Sequence, residues 1–285
     1  MNPTTTPTES AGLPEVSLRW NPTSAVNNVL AIAGVVIKEM YRRKDFYVLF
    51  VLTALITLVM GSINIFNDQS IAGYLKELAL LLIWVCSLVI AIATTARQLY
   101  AEKENRTIFP LLAKPVSRAQ LLLGKFFGCW LACGGALLVF YLFLAIVAAS
   151  REHSLDVGSY VIAMLLHWSA LAVVVGMALL GSIVFAAPSS NGTICFIVAV
   201  AILWLERHLN TVALQTGGIL GTITYLVYFI TPRLDWAFDA REFLIFHDPM
   251  PGFTVLGPAL LFYAAYASML LLTAWVLFRR RALNT

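Results

Sequence analysis

Charge is what this sequence has least of. Charged residues make up 12% of its 285 residues, about half the share of an ordinary soluble domain. A water-soluble globule of this length is thereby excluded. Nor does the sequence hold the pieces that hydrolytic or phosphoryl chemistry needs. No G-x-S-x-G, no H-E-x-x-H and no pair of aspartates inside an apolar run occurs. The one Gly-Lys dipeptide, Gly124–Lys125, is followed by Phe126 and lacks the preceding glycine of a P-loop, so there is no phosphate cradle. The four histidines, His153, His167, His208 and His247, stand far apart, and packed or interfacial roles suit them better than metal binding. Of the cysteines, Cys86, Cys129, Cys133 and Cys195 all fall within apolar runs. Cys129 and Cys133 share a helical face, which leaves metal or redox use open, but a small apolar filler is the preferred reading. There is no early apolar segment of the signal-peptide kind, and residues 1–25 read as a polar, Thr/Pro-rich disordered tail. No internal repeat is visible, and no window outside the apolar runs could form a soluble catalytic domain.

What is abundant is oil. Hydrophobic residues make up 60% of the chain and mean hydropathy is +0.84. A helix needs roughly 20 apolar residues to cross a bilayer. Six such spans are expected, at about 46–65, 77–96, 121–149, 160–187, 193–209 and 254–278, within a single transmembrane domain over 26–285. The expectation is an all-α polytopic membrane protein. Before the first span, "VNNVLAIAGVVIKEMYRRK" (26–44) aligns Val26, Val29, Leu30, Ala33, Val36, Ile37, Met40 and Tyr41 on one stripe. We take it as an N-terminal interfacial helix, against the plain alternative that it extends the first span. Asn191 reads as a turn residue between spans 4 and 5, with span 4 stopping at Pro188, and Lys76–Glu77 as a span terminus. The "ERH" triplet Glu206–His208 suits an anchor at the end of span 5 more than a functional charge. Six of the seven tryptophans, Trp84, Trp130, Trp168, Trp204, Trp236 and Trp275, fit belt or packing duties.

Residues 211–230 are apolar enough for a seventh span. The distribution of basic residues argues against it. With six spans, Arg19, Lys38, Arg42, Arg43, Lys44, Arg97, Lys103, Arg106, Lys114, Arg118, Lys125 and Arg279–Arg281 share one side, most of the 19 Lys+Arg. Seven would export the terminal arginines, against the positive-inside rule. Residues 211–230 are therefore read as a re-entrant element between spans 5 and 6, broken near Gly217–Gly218 and Gly221 and covered by protein. The acidic "TPRLDWAFDAREFLIFHDPMPG" after it becomes an external segment. Both termini are expected in the cytoplasm of a cell whose inner membrane holds the protein.

The richest charge cluster lies between spans 2 and 3, in "YAEKENRTIFPLLAKPVSRAQLLLGK" (100–125). "RQLYAEKENR" continues span 2 as helix. Thr107 can cap a short new helix, Pro110 sits in its first turn, and Ile108, Phe109, Leu111 and Leu112 form its apolar tip. Pro115 ends it beside Lys114, Ser117 caps the next helix, and Gly124 permits close backbone approach. An apolar tip ringed by charge is the composition of a docking element. A basic loop dipping into headgroups is the other reading that the residues leave open.

This stretch resembles the loop between spans 2 and 3 of ABC-2-type transporter permeases. The matching residues are Glu102 or Glu104, Thr107, Leu111, Leu112, Pro115, Val116, Ser117, Arg118, Gly124 and Lys125. Arg106 replaces a frequent glycine. "KEMYRRKDFYVL" and the segment "TPRLDWAFDAREFLIFH" with the terminal "VLFRRR" extend the resemblance over about 28–281, toward multicopper-enzyme-maturation-type permeases. The resemblance implies a cytoplasmic coupling helix with Glu102, Glu104, Arg106, Thr107, Ile108, Phe109, Pro110, Leu111, Leu112, Pro115 and Arg118 facing an ABC ATPase. It further implies two ATPase copies that carry ATP and Mg, a second permease copy in a homodimer, and a bilayer but no nucleic acid as surroundings. This chain itself would bind no cofactor and catalyse nothing. A non-transporting scaffold that passes ATPase motion to an external partner, as in metalloenzyme maturation, is the alternative function.

Overall fold

The structure, a computed structural model, describes residues 22–42, 44–62, 68–104, 117–152, 156–215, 221–222, 224, 226, 231–246 and 253–280. Among these there are eight α-helices and no strand: α1 (Pro22–Arg42), α2 (Lys44–Ser62), α3 (Asp68–Glu104), α4 (Arg118–Glu152), α5 (Val157–Val184), α6 (Pro188–Gln215), α7 (Asp235–Phe246) and α8 (Phe253–Arg280). Five of them, within α3, α4, α5, α6 and α8, are long and apolar enough to cross a membrane, and α2 adds a shorter apolar stretch, Tyr47–Val59. With 35 residues, α4 is about 52 Å long at 1.5 Å per residue, well beyond a hydrocarbon core of about 30 Å. Helices α3 and α4 therefore carry the chain past the apolar layer.

Helix α5 is the centre of the bundle. Seven consecutive residues, Ala170 to Gly176, are buried in it, so it is covered on all faces as a surrounded helix must be. Around it pack α3, α4, α6, α7 and α8. The outer faces remain apolar: Val48, Val51, Leu52, Leu55, Leu58 and Val59 of α2 are all exposed. Such faces are oil meeting oil, so helix association here rests on close packing and buried hydrogen bonds instead of water exclusion.

The close packing is clearest between α1 and α4. A Cβ on Gly124 would lie 2.7 Å from Ile32 Cβ, and one on Gly128 would lie 2.7 Å from Val36 Cβ and 3.0 Å from Ala33 Cα. Both partners advance by four residues, so the two helices run in the same direction at this contact. Ala33, Val36 and Met40 are buried there, whereas Val26, Leu30 and Tyr41 of the expected stripe are exposed. The stripe is thus narrower than the sequence suggested, because a glycine seam accepts a thinner ridge than a core does.

Several expected boundaries shift. Helix α5 ends at Val184 and α6 opens at Pro188, where a missing N–H costs nothing and the fixed φ suits a first turn. Asn191 is therefore not a turn residue but a buried residue of α6. Its Nδ2 donates to the Ala178 carbonyl (2.9 Å) and its Oδ1 accepts from the Cys195 thiol (3.2 Å). Gly181 leaves the space for its amide, since any Cβ there would overlap Oδ1. Lys76 stands within a turn of the start of the apolar span Gly73–Tyr100, as expected of a span terminus, but not at a helix end. Helix α3 begins two turns earlier at Asp68, and buried Lys76 donates to the Leu244 carbonyl at the end of α7 (2.9 Å), a cation at a negative helix end. The expected re-entrant segment 211–230 lies mostly outside the described residues; its first part, Thr211 to Gln215, continues α6. Helix α7, within the segment expected to be external, was not anticipated as a helix. Tyr263 fastens its start, donating to the Arg233 carbonyl (2.6 Å) and accepting from the Ala237 amide (3.2 Å).

Candidate functional site

The two helices flanking the charged loop meet at the end of the bundle where Arg97, Arg118, Lys125 and Arg279 gather. Helix α4 starts with a capping box. The Gln120 amide donates to Ser117 Oγ (3.2 Å) and the Ser117 amide to Gln120 Oε1 (3.0 Å), so two otherwise orphaned N–H groups are satisfied reciprocally. The next residue, Arg118, reaches across to α8. Its guanidinium donates to the Phe278 carbonyl (3.0 Å) and lies 5.5 Å from the centre of the Phe278 ring. Helix α3 is tied to the α5–α6 turn through Tyr100, whose hydroxyl donates to the Phe185 carbonyl. Four helix ends are thus linked around the loop.

One layer deeper, Lys125 is buried. Its ammonium donates to Gln98 Oε1 (2.9 Å), and Gln98 Nε2 in turn donates to Glu39 Oε2 (3.4 Å). The glutamine amide separates the two charges and joins α1, α3 and α4 in one hydrogen-bonded line. A buried cation without acceptors would cost several kcal/mol, on the order of 3–5. The line is therefore a positional constraint: displacing α3 or α4 alone exposes that cost. This arrangement can transmit displacement. It holds no nucleophile or base aimed at a cavity.

A second polar centre lies near the middle of the bundle. His167 is fully buried and stacks on Trp84 with centroids 4.0 Å apart. Its Nε2 lies 2.9 Å from Ser87 Oγ and its Nδ1 3.3 Å from the Tyr141 hydroxyl. The single Ser87 proton goes to the Trp84 carbonyl (2.9 Å), so Ser87 accepts from Nε2–H and Tyr141 donates to Nδ1. A neutral ring satisfies all three groups, as the packed role of this histidine requires. Beside it, Trp130 and Trp168 stack 4.4 Å apart, and each indole N–H donates to the other's carbonyl at 2.9 Å.

Of the residues expected to face an ATPase, Arg106, Thr107, Ile108, Phe109, Pro110, Leu111, Leu112 and Pro115 lie outside the described residues. Glu102 and Glu104 fall in the last turn of α3, and Arg118 opens α4. The structure does bring their flanking elements together. Sequence reasoning missed Glu39 and Gln98 as structural polar groups, whereas His167 has the packed role expected of it. The available signal was polarity inside or at the edge of an apolar run, which alone does not say which partner answers it. All four cysteines are buried thiols, and among the described residues no three metal-ligating side chains converge.

Comparison with known proteins adds one positive result. No curated protein matches the chain, but the family model of the ABC-2 family transporter proteins matches residues 23–277. That interval runs from the first turn of α1 to the last turn of α8, and includes every helix described above. A family of this kind is typically the non-catalytic membrane part of a machine whose partner is an ABC ATPase. With five long apolar helices and a match over nearly its whole length, the chain is a multi-pass membrane protein belonging to the ABC-2 transporter permease family.

Proposed function

We propose that this chain is the transmembrane subunit of an ATP-driven exporter, acting as a homodimer with two separate ATPase subunits in the inner membrane. The observation that carries this reading is the family match over 23–277 in a chain that has no phosphate cradle of its own. ATP and Mg then belong to the partner. Six spans with both termini cytoplasmic fit the clustering of Arg97, Arg118, Lys125 and Arg279 at one end. The coupling element is the segment from Glu102 to Arg118: Phe109, Leu111 and Leu112 anchor in the ATPase beside Ile108, while Pro110 and Pro115 would frame the short helix and Thr107 would cap it. Glu102, Glu104, Arg106 and Arg118 orient it.

Motion delivered to this segment enters α3 and α4 together, because Gln98 and Lys125 join them, and reaches α1 through Glu39 and the glycine seam. The test is to co-express the full chain with its ATPase and to substitute Phe109→Ala with Leu112→Ala. ATPase co-purification should fall by more than tenfold, and transport-linked hydrolysis with it. Intact co-purification would sink the assignment. An ATPase that still binds and hydrolyses, with no solute moved by reconstituted wild type, would instead favour the force-transmitting scaffold.

A further inference from the structure

A groove of about 590 Å³ runs between α3 and α6. Its α3 wall is Val89, Ile92, Ala93, Ala96 and Arg97, one helical face at spacings of three and four. Its α6 wall is Pro188, Ser189, Gly192, Thr193 and Phe196. The two helices run in opposite senses here, with the α3 wall ending and the α6 wall beginning at the basic end. Arg97 and the Ser189 hydroxyl accordingly stand at the mouth, while Val89 and Phe196 close the deep end. The distance from mouth to floor is about 12 Å, eight residues at 1.5 Å each. Small residues, Ala93, Ala96 and Gly192, make the space. A Cβ on Gly192 would come no nearer than 4.0 Å to Ile92, so the groove is open where helices usually interlock.

We propose that this groove binds an anionic phospholipid of the leaflet at the basic end, with its phosphate on Arg97 and one acyl chain between Ile92 and Phe196. The argument is charge complementarity laid out along one axis. Arg97 is exposed at the basic end of α3. Ser189 and Thr193 offer hydroxyls on the facing wall. Everything deeper is hydrocarbon, which rules out a free phosphate or a polar solute as the guest. Basic pockets between spans on the cytoplasmic side bind anionic headgroups for the same reasons. Its readout is separate from the ATPase contact, since lipid retention is measured on this chain alone, although Arg97 shares α3 with Glu102 and Glu104.

The test uses the purified full-length chain and native mass spectrometry, with phosphatidylglycerol and phosphatidylcholine of the same chain length as probes. Wild type should retain phosphatidylglycerol about fivefold better, the factor expected of one basic residue near a membrane surface. Arg97→Gln should abolish that preference and Arg97→Lys should restore it. Gly192→Leu, which fills the groove, should lower retention of both lipids. Equal retention of the two lipids by wild type would overturn the proposal. So would a preference that survives Arg97→Gln, or competition by glycerol phosphate as strong as by the lipid, which would mean that the headgroup alone is read.

Discussion

Single residues in this bundle matter through what they leave unpaired. Gln98 is the clearest case, because its amide is the acceptor for a buried ammonium and the donor to Glu39. Gln98→Leu should destabilise the protein by about 3 kcal/mol, the penalty of a buried ammonium that loses an acceptor. Lys125→Met added to it should recover most of that loss, because both deep partners are then apolar and exposed Glu39 stays hydrated. SDS titration of the purified protein, followed by circular dichroism, gives both values. Additive costs would show that the line carries no coupling. In the sequence Lys125 reads as half of a Gly-Lys dipeptide and as one of the basic residues gathered on one side. Its meaning depends on a glutamine 27 positions away, and no local pattern encodes that pairing. Asn191 shows the same limit more sharply. After a proline and two serines it has the look of a turn, yet tertiary partners on α5 draw it into a helix.

At the scale of elements, the α1–α4 seam decides how tightly the amino-terminal helix is held. Gly128→Leu would press a side chain into the Ala33 backbone, which cannot yield as a flexible side chain can. Overpacking of this kind costs about 1–3 kcal/mol. Trypsin should therefore cut at exposed Arg42 several-fold faster in this variant. Gly34→Leu is the control: nothing lies within 4 Å of a Cβ there, so cleavage should stay at the wild-type rate. Equal rates in both variants would mean that the seam does not hold α1. The existence of α1 was legible from its 3.6-residue apolar period. Its partner was not, because the glycines of α4 read as ordinary small residues in an apolar span. The Ser117 cap was fully legible, since capping boxes are local in sequence. Helix α7 was not, for its apolar and charged residues are too few to separate a short docked helix from a loop.

For the whole molecule, the number of crossings decides on which side each end lies. Five helices are long and apolar enough to cross, and α2 adds the shorter Tyr47–Val59 stretch; the six crossings proposed above would return both ends to one side. Because all four native thiols are buried, Asn284→Cys supplies a single reactive position. A membrane-impermeant maleimide should label it in inverted vesicles and leave it untouched in intact cells. Labelling from outside would demand an odd number of crossings and a spanning role for residues 211–230. Fold class was readable from composition, because a chain with so few charges has little choice of solvent. The arrangement of helices was not, since every outer face is equally apolar and periodicity cannot say which one meets protein.

The stacked pair of Trp130 and Trp168 has a consequence for measurement. Two indoles stacked this close have coupled transitions, and the circular dichroism of the pair depends on their separation and mutual angle. One ring belongs to α4, the helix that leaves the charged loop, and the other to α5, the centre of the bundle. Any stroke that slides or tilts one helix on the other must change that coupling. The protein therefore carries its own optical ruler across the joint where motion would enter the core, and no dye or label is needed to read it.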